Sequence, residues 1–214
     1  MLKHRAEVWF VLACALMAAS QSFALPTPDH IVIVIEENHT YENIIGSPDA
    51  PYLNSLAAGG ANFTSFYALT HPSQPNYLQL YSGSNQGVFD NTVPPPGAPF
   101  TTANLGAELL AANKTFAIYS EDLPAVGSTI SVSGAYARRH NPVVNWQSNN
   151  PDVNQYGPSH NQPFSMFPTD FSQLPAVSFV VPNNNNNMHS GTIPVGDTWL
   201  KNNLKAYADW AMTH

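Results

Sequence analysis

His30-Ile31-Val32-Ile33-Val34-Ile35, running into Glu36-Glu37-Asn38, is the stretch whose reading decides the fold. Five consecutive β-branched residues leave no polar face, the pattern of a strand buried on both sides in a parallel sheet rather than of an amphipathic helix. A central strand is predicted. In open α/β sheets ligands bind in the crevice beyond the carboxyl ends of the strands, so the abrupt change to Glu36-Glu37-Asn38 sets polar groups where chemistry is done. Glu37 and Asn38 offer a carboxylate and an amide oxygen, hard ligands suited to a divalent cation. The structural alternative has Asn38 capping the next turn and Glu37 solvated.

Upstream of this strand, Lys3, His4 and Arg5 precede an apolar run from Val8 to Ala19, and Ser22-Phe23-Ala24 supplies small residues at a cleavage position. The run has the length of a signal-peptide core and is too short to span a bilayer. Residues 1–24 are read as a signal peptide and 25–214 as one domain, secreted or periplasmic, with no stable membrane anchor. The only cysteine, Cys14, lies in the leader, so the mature chain has neither a disulfide nor thiolate chemistry. Seven Lys and Arg against fourteen Asp and Glu, a net charge of -7, argue against nucleic acid as a tight partner, because that binding needs clustered positive charge. The sequence does not fix an oligomeric state.

Downstream, strand and helix patterns alternate. Pro51 to Ala58 predicts a short helix closed by Gly59-Gly60, and Ala61 to Ala68 a short extended segment. The loop Thr70-His71-Pro72-Ser73-Gln74-Pro75 sets Ser73 just ahead of a helix over Asn76–Tyr81. Gln86 to Phe100, with Pro94-Pro95-Pro96, is turn-rich, and Ala103 to Asn113 is helical. Lys114 to Tyr119 predicts a second strand, again ending in carboxylates at Ser120-Glu121-Asp122. Gly127 to Ser165 lacks periodicity and has the length of a functional lid or binding loop. Ala176 to Val181 predicts a third strand. The five asparagines Asn183 to Asn187 form an ordered loop before Met188-His189-Ser190-Gly191 and a helix over Thr198–Met212. The alternation implies an α/β fold with a mostly parallel sheet, in which the terminal helix should feed one more strand; the sequence is therefore expected to be C-terminally incomplete.

Ser73 between two prolines is ordinarily a turn residue. His71, Gln74 and Asn76 surround it with donors, however, and the following helix start offers positive potential to an anion such as phosphate. A Ser-His-Asp esterase is the competing assignment, but no Gly-x-Ser-x-Gly elbow surrounds Ser73. Nor does the sequence contain a phosphate-binding Gly-rich loop, paired cysteine ligands or His-Glu-x-x-His.

Glu37-Asn38-His39-Thr40-Tyr41-Glu42-Asn43-Ile44-Ile45-Gly46 resembles the E-N-x-[ST]-[FY]-x-x-x-x-G signature of the bacterial and fungal phosphoesterases that include acid phosphatases and phosphatidylcholine-type phospholipases C. His71-Pro72-Ser73-Gln74-Pro75-Asn76-Tyr77 resembles their nucleophile loop. Asn183 to His189 and Gly196-Asp197-Thr198-Trp199-Leu200 resemble their later N-x-x-x-D-M-H and G-D-x-W-L segments. The resemblance implies an alkaline-phosphatase-like three-layer fold, a mostly parallel central sheet with helices on both faces. It implies that a divalent metal ion is held by Glu37, Asn38 and Ser73, and that Ser73 attacks phosphorus to give a phosphoseryl intermediate. Asn76, His189 and His140 are the implied residues for phosphate contact or for protonating the leaving group. The implied substrate is a small phosphoester or a phospholipid.

Two departures qualify these expectations. Asn187 stands where the resemblance leads one to expect aspartate, and the Asp-Glu strand that completes the metal site in relatives does not follow His214. Weak metal binding and slow or absent turnover are therefore expected of this chain. A truncated pseudoenzyme or a secreted binding module is the alternative function.

Overall fold

The computed structural model describes residues 28–214. The signal peptide read at residues 1–24 lies outside them. The elements in chain order are β1 (Ile31–Val34), α1 (Tyr41–Ile44), α2 (Pro51–Gly59), α3 (Ser73–Ser82), α4 (Leu105–Ala111), β2 (Phe116–Ser120), β3 (Val132–Ser133), β4 (Tyr136–Ala137), β5 (Asn161–Pro163), β6 (Val177–Val181) and α5 (Ile193–Ala211). Strands β1, β6, β2 and β5 form one sheet in that order, every pair parallel, and β3 and β4 make a small antiparallel ribbon. The fold class is α/β, as the alternating patterns predict.

The sheet buries both faces, and strand periodicity divides the side chains between them. Ile33, Ile35, Phe116, Ile118, Phe179 and Val181 face one cluster, where Leu78 and Tyr81 of α3 and Leu105 and Leu109 of α4 cover them. Val32, Val34, Ala117, Tyr119 and Val180 face the other, covered by Tyr52 of α2 and by Trp199, Leu200 and Leu204 of α5.

The central strands are β2 and β6, both buried along their whole length. The expectation that the β1 run is central is corrected: among the described residues β1 is an edge strand, and Ile31 is 43% exposed. Its Val32, Ile33 and Val34, and Ile35 after them, are half-buried against the clusters on the two faces, and lateral pairing is supplied on one side by β6 alone.

Three further expectations are corrected. Ala61–Ala68 is irregular and exposed, without a strand partner. Helix α5 begins at Ile193, ahead of Thr198, because Pro194 fits a first turn that lacks N–H acceptors anyway. The Gly127–Ser165 excursion is not a lid. Its Val143, Trp146 and Tyr156 are core residues, and Asn161–Pro163 within it pairs with β2 at the sheet edge. Among the described residues no helix is long and apolar enough to cross a membrane.

Candidate functional site

All four strands of the sheet are parallel, so their carboxyl ends share one edge, and four chain segments deliver side chains there. Glu37 leaves β1 and is fixed by its N–H, which donates to the Asn187 carbonyl at 2.8 Å. Ser73 is the first residue of α3, which begins three residues ahead of the Asn76 start the sequence predicts, with Pro72 in the capping position. Its Oγ donates to Glu37 Oε2 at 3.1 Å. The helix start is less open to an anion than expected, since the Gln74 N–H already donates to Asn91 Oδ1 at 3.0 Å and Pro75 has none.

His140 arrives on a 3-10 turn, Arg138–His140, and is 1% exposed. Asn141 pins that turn: its side-chain amide donates to Asn161 Oδ1 at 2.9 Å, and its Oδ1 accepts the Val144 N–H at 3.2 Å. Tyr77 of α3 stacks on the His140 ring at a centroid distance of 5.2 Å. Arg138 is buried and donates to the Thr129 carbonyl at 2.8 Å. His140 Nε2 comes within 3.1 Å of Glu37 Oε1, off the N–H axis, a close approach rather than an aligned hydrogen bond.

His189 completes the group. Its ring lies 5.4 Å from that of His140, and one ligand-type atom from each of Glu37, His140 and His189 falls within 4.8 Å of the others. The loop that carries it is ordered asparagine by asparagine. Asn183 Oδ1 accepts the N–H groups of Asn185 and Asn186, both at 3.0 Å, and the Asn186 amide donates to both oxygens of Glu121. Gly196 is required beside this loop, because a Cβ there would meet Met188 Cγ at 2.5 Å. The run is an ordered turn, as expected, and not a low-complexity tract.

The other predicted residues are placed differently. Asn38 is exposed with φ 62°, and its side chain makes no hydrogen bond among the described residues. Thr40, not Asn38, takes the capping position of α1. Asn76 faces the loop ahead of Ser73: its Oδ1 accepts the N–H groups of Leu69 and Thr70 at 3.1 and 3.0 Å, and its amide donates to the carbonyls of Thr70 and Pro72. Asn76 thus shapes the loop that presents Ser73.

Electrostatics separate the neighbours. Burial drives the His140 pKa from 6.5 down to about 3, helped by nearby Arg139 and His189, so its imidazole is neutral. Burial, reinforced by the Glu37 carboxylate, pushes the Tyr77 phenol well above its ordinary value. A carboxylate with two imidazoles is a donor set that fits a divalent ion of borderline softness, whereas Glu37, Asn38 and Ser73 are an all-oxygen set. The sequence offers His140 only through the family resemblance; Asn141 and Pro142 beside it are the available local signal, and its burial is not legible.

Residues 47–214 match the model of the Phosphoesterase family, a span that includes Ser73, His140 and His189, with Glu37 ahead of it. The chain is 50% identical over 193 residues to a phosphatidylinositol-3-phosphatase of Mycobacterium tuberculosis, covering 89% of this chain and 62% of that protein. It is 31% identical over 173 residues to an acid phosphatase of Aspergillus fumigatus, covering 76% of this chain and 37% of that one. A probable acid phosphatase of Kluyveromyces lactis is 29% identical over 181 residues, 41% of its length. The chain thus spans less than two thirds of each of these relatives.

Proposed function

The chain belongs to the Phosphoesterase family, and on that premise we propose that Ser73, Glu37 and His189 form a metal-dependent phosphoester hydrolase site working through a phosphoseryl intermediate. The observation that carries the reading is the 3.1 Å hydrogen bond from Ser73 Oγ to Glu37 Oε2, which orients the hydroxyl and gives its proton an acceptor. Ser73 Oγ attacks phosphorus, its proton passes to Glu37, and the bond from phosphorus to the leaving oxygen breaks as that oxygen takes a proton from His189. Water then attacks the phosphoseryl group and returns a proton to His189, while Ser73 Oγ leaves with the proton held on Glu37. Glu37 and Ser73, with Asn38 next in the chain, would hold a divalent cation, which would supply charge neutralisation and polarise a phosphoryl oxygen. The N-terminal signal pattern supports a secreted or periplasmic setting.

One observation favours a substrate with an apolar body. Phe63, Phe66, Tyr67 and Leu69 are 74%, 82%, 76% and 78% exposed in the uncharged segment leading to Ser73. Such a run is unusual on a soluble surface and suits an acyl or aromatic group. The Mycobacterium tuberculosis relative, named for a phosphorylated lipid, agrees with this reading.

The test is phosphate release by the purified chain from a chromogenic phosphomonoester and from a phosphoinositide, side by side, with magnesium, calcium, manganese or zinc and then with chelator. Slow release that needs a cation and falls by at least about a hundredfold in Ser73→Ala is the expected result. Carboxyl-ester hydrolysis that survives chelation would favour the esterase reading. No release with any cation would favour the non-catalytic module.

A further inference from the structure

Asn187 is fully buried and joins all three members of the Glu37, His140 and His189 group. Its backbone carbonyl accepts the Glu37 N–H at 2.8 Å, and its side-chain Oδ1 accepts the His189 N–H at 2.9 Å. Its remaining group, Nδ2, faces His140 Nδ1 at 3.5 Å. The amide cannot be turned over without setting an NH2 against the His189 N–H, donor against donor. An amide nitrogen only donates. His140 Nδ1 must therefore face it as an acceptor, which leaves the ring proton of a neutral imidazole on Nε2.

The opposite side of the ring agrees with that assignment. Glu37 Oε1, an acceptor, lies 3.1 Å from Nε2. An imidazole with its proton on Nε2 has no lone pair there for a cation. Resting on the phosphoester reading of this cluster, we propose that Asn187 is a positioning residue that holds His140 as its Nε2–H tautomer. His140 then keeps an N–H on the Glu37 side of its ring, free to donate to a phosphoryl oxygen, and is withheld from metal ligation. An aspartate at position 187 would invert the arrangement: one carboxylate oxygen would keep the His189 N–H, the other would accept a proton from Nδ1, and Nε2 would be free to ligate.

The experiment is a long-range proton–nitrogen correlation spectrum of the ¹⁵N-labelled, metal-free protein at neutral pH, for the unsubstituted chain and for Asn187→Asp, with zinc titrated into both by calorimetry. The expected result is a His140 ring protonated on Nε2 in the unsubstituted chain and on Nδ1 in Asn187→Asp, with zinc bound about tenfold or more tightly by the variant. Protonation on Nδ1 in the unsubstituted chain overturns the proposal even if the variant does not fold. An unchanged tautomer or unchanged zinc affinity in a folded variant also overturns it. Failure of the hydrolase reading would instead appear as phosphate release indifferent to Ser73→Ala, which these spectra do not register.

Discussion

Glu36 and Glu37 leave β1 side by side, and strand alternation sends their side chains in opposite directions. Glu37 finds Ser73 and His140; the Glu36 carboxylate is buried without a hydrogen-bond partner among the described residues, with Asp197 and Glu121 nearby. Burial, then repulsion from those two carboxylates, raises its pKa from 4.5 to about 8. A carboxyl whose folded pKa is raised contributes full relative stability below pH 4.5 and loses it as pH climbs through about 8. Glu36→Gln removes that dependence. In the metal-free protein, urea unfolding should show the variant gaining on the parent by on the order of a few kcal/mol between about pH 5 and pH 8; a gap that does not change with pH would contradict the assignment. His140 has the opposite sign: its contribution is present above pH 6.5 and is lost as pH falls toward about 3. Glu37 and Ser73 were legible because each sits in a motif at a strand or helix end. The separate fates of Glu36 and Glu37 were not, because desolvation depends on Asp197 and Glu121, far along the chain.

At the scale of elements, the segments that a local pattern specifies were read well. Strands β2 and β6 are apolar runs, and α4 opens on Asn104, whose Oδ1 accepts the Ala107 N–H at 3.0 Å in an ordinary cap. Strand β5 was missed because Asn161-Gln162-Pro163 carries no strand signal. Its place is fixed by tertiary hydrogen bonds instead, Asn161 Nδ2 donating to the Ser128 carbonyl at 3.0 Å and to Gln147 Oε1 at 3.1 Å. The α4–β2 contact makes a sharper prediction. A Cβ at Gly106 would collide with the Tyr81 hydroxyl and the Phe116 ring, and Tyr81 cannot retreat without disturbing its 2.8 Å hydrogen bond to Tyr156. Gly106→Ala should therefore cost about 1–3 kcal/mol, read as a lower denaturation midpoint with an unchanged slope; full stability would mean that α4 is not packed this closely.

The whole molecule is organised so that two buried clusters hold a parallel sheet while its carboxyl edge gathers functional side chains from distant parts of the chain. Even the back of the site is tied across the sequence: Asp197 of α5 accepts the N–H groups of Tyr52 and Leu53 at the start of α2, at 3.1 and 2.8 Å. That long-range tie explains why the fold class could be read from alternating patterns while the sheet order, the edge position of β1 and the entry of His140 could not. Pairing and burial are properties of segments that meet only in three dimensions. Phosphorylation of Ser73 during turnover is read by acid-quenching the cation-loaded protein during reaction with a phosphomonoester and mapping its peptides by mass. One phosphoryl group on the peptide containing Ser73, absent in Ser73→Ala, is the expected result; phosphate release without that adduct and undiminished in Ser73→Ala would rule Ser73 out as the nucleophile.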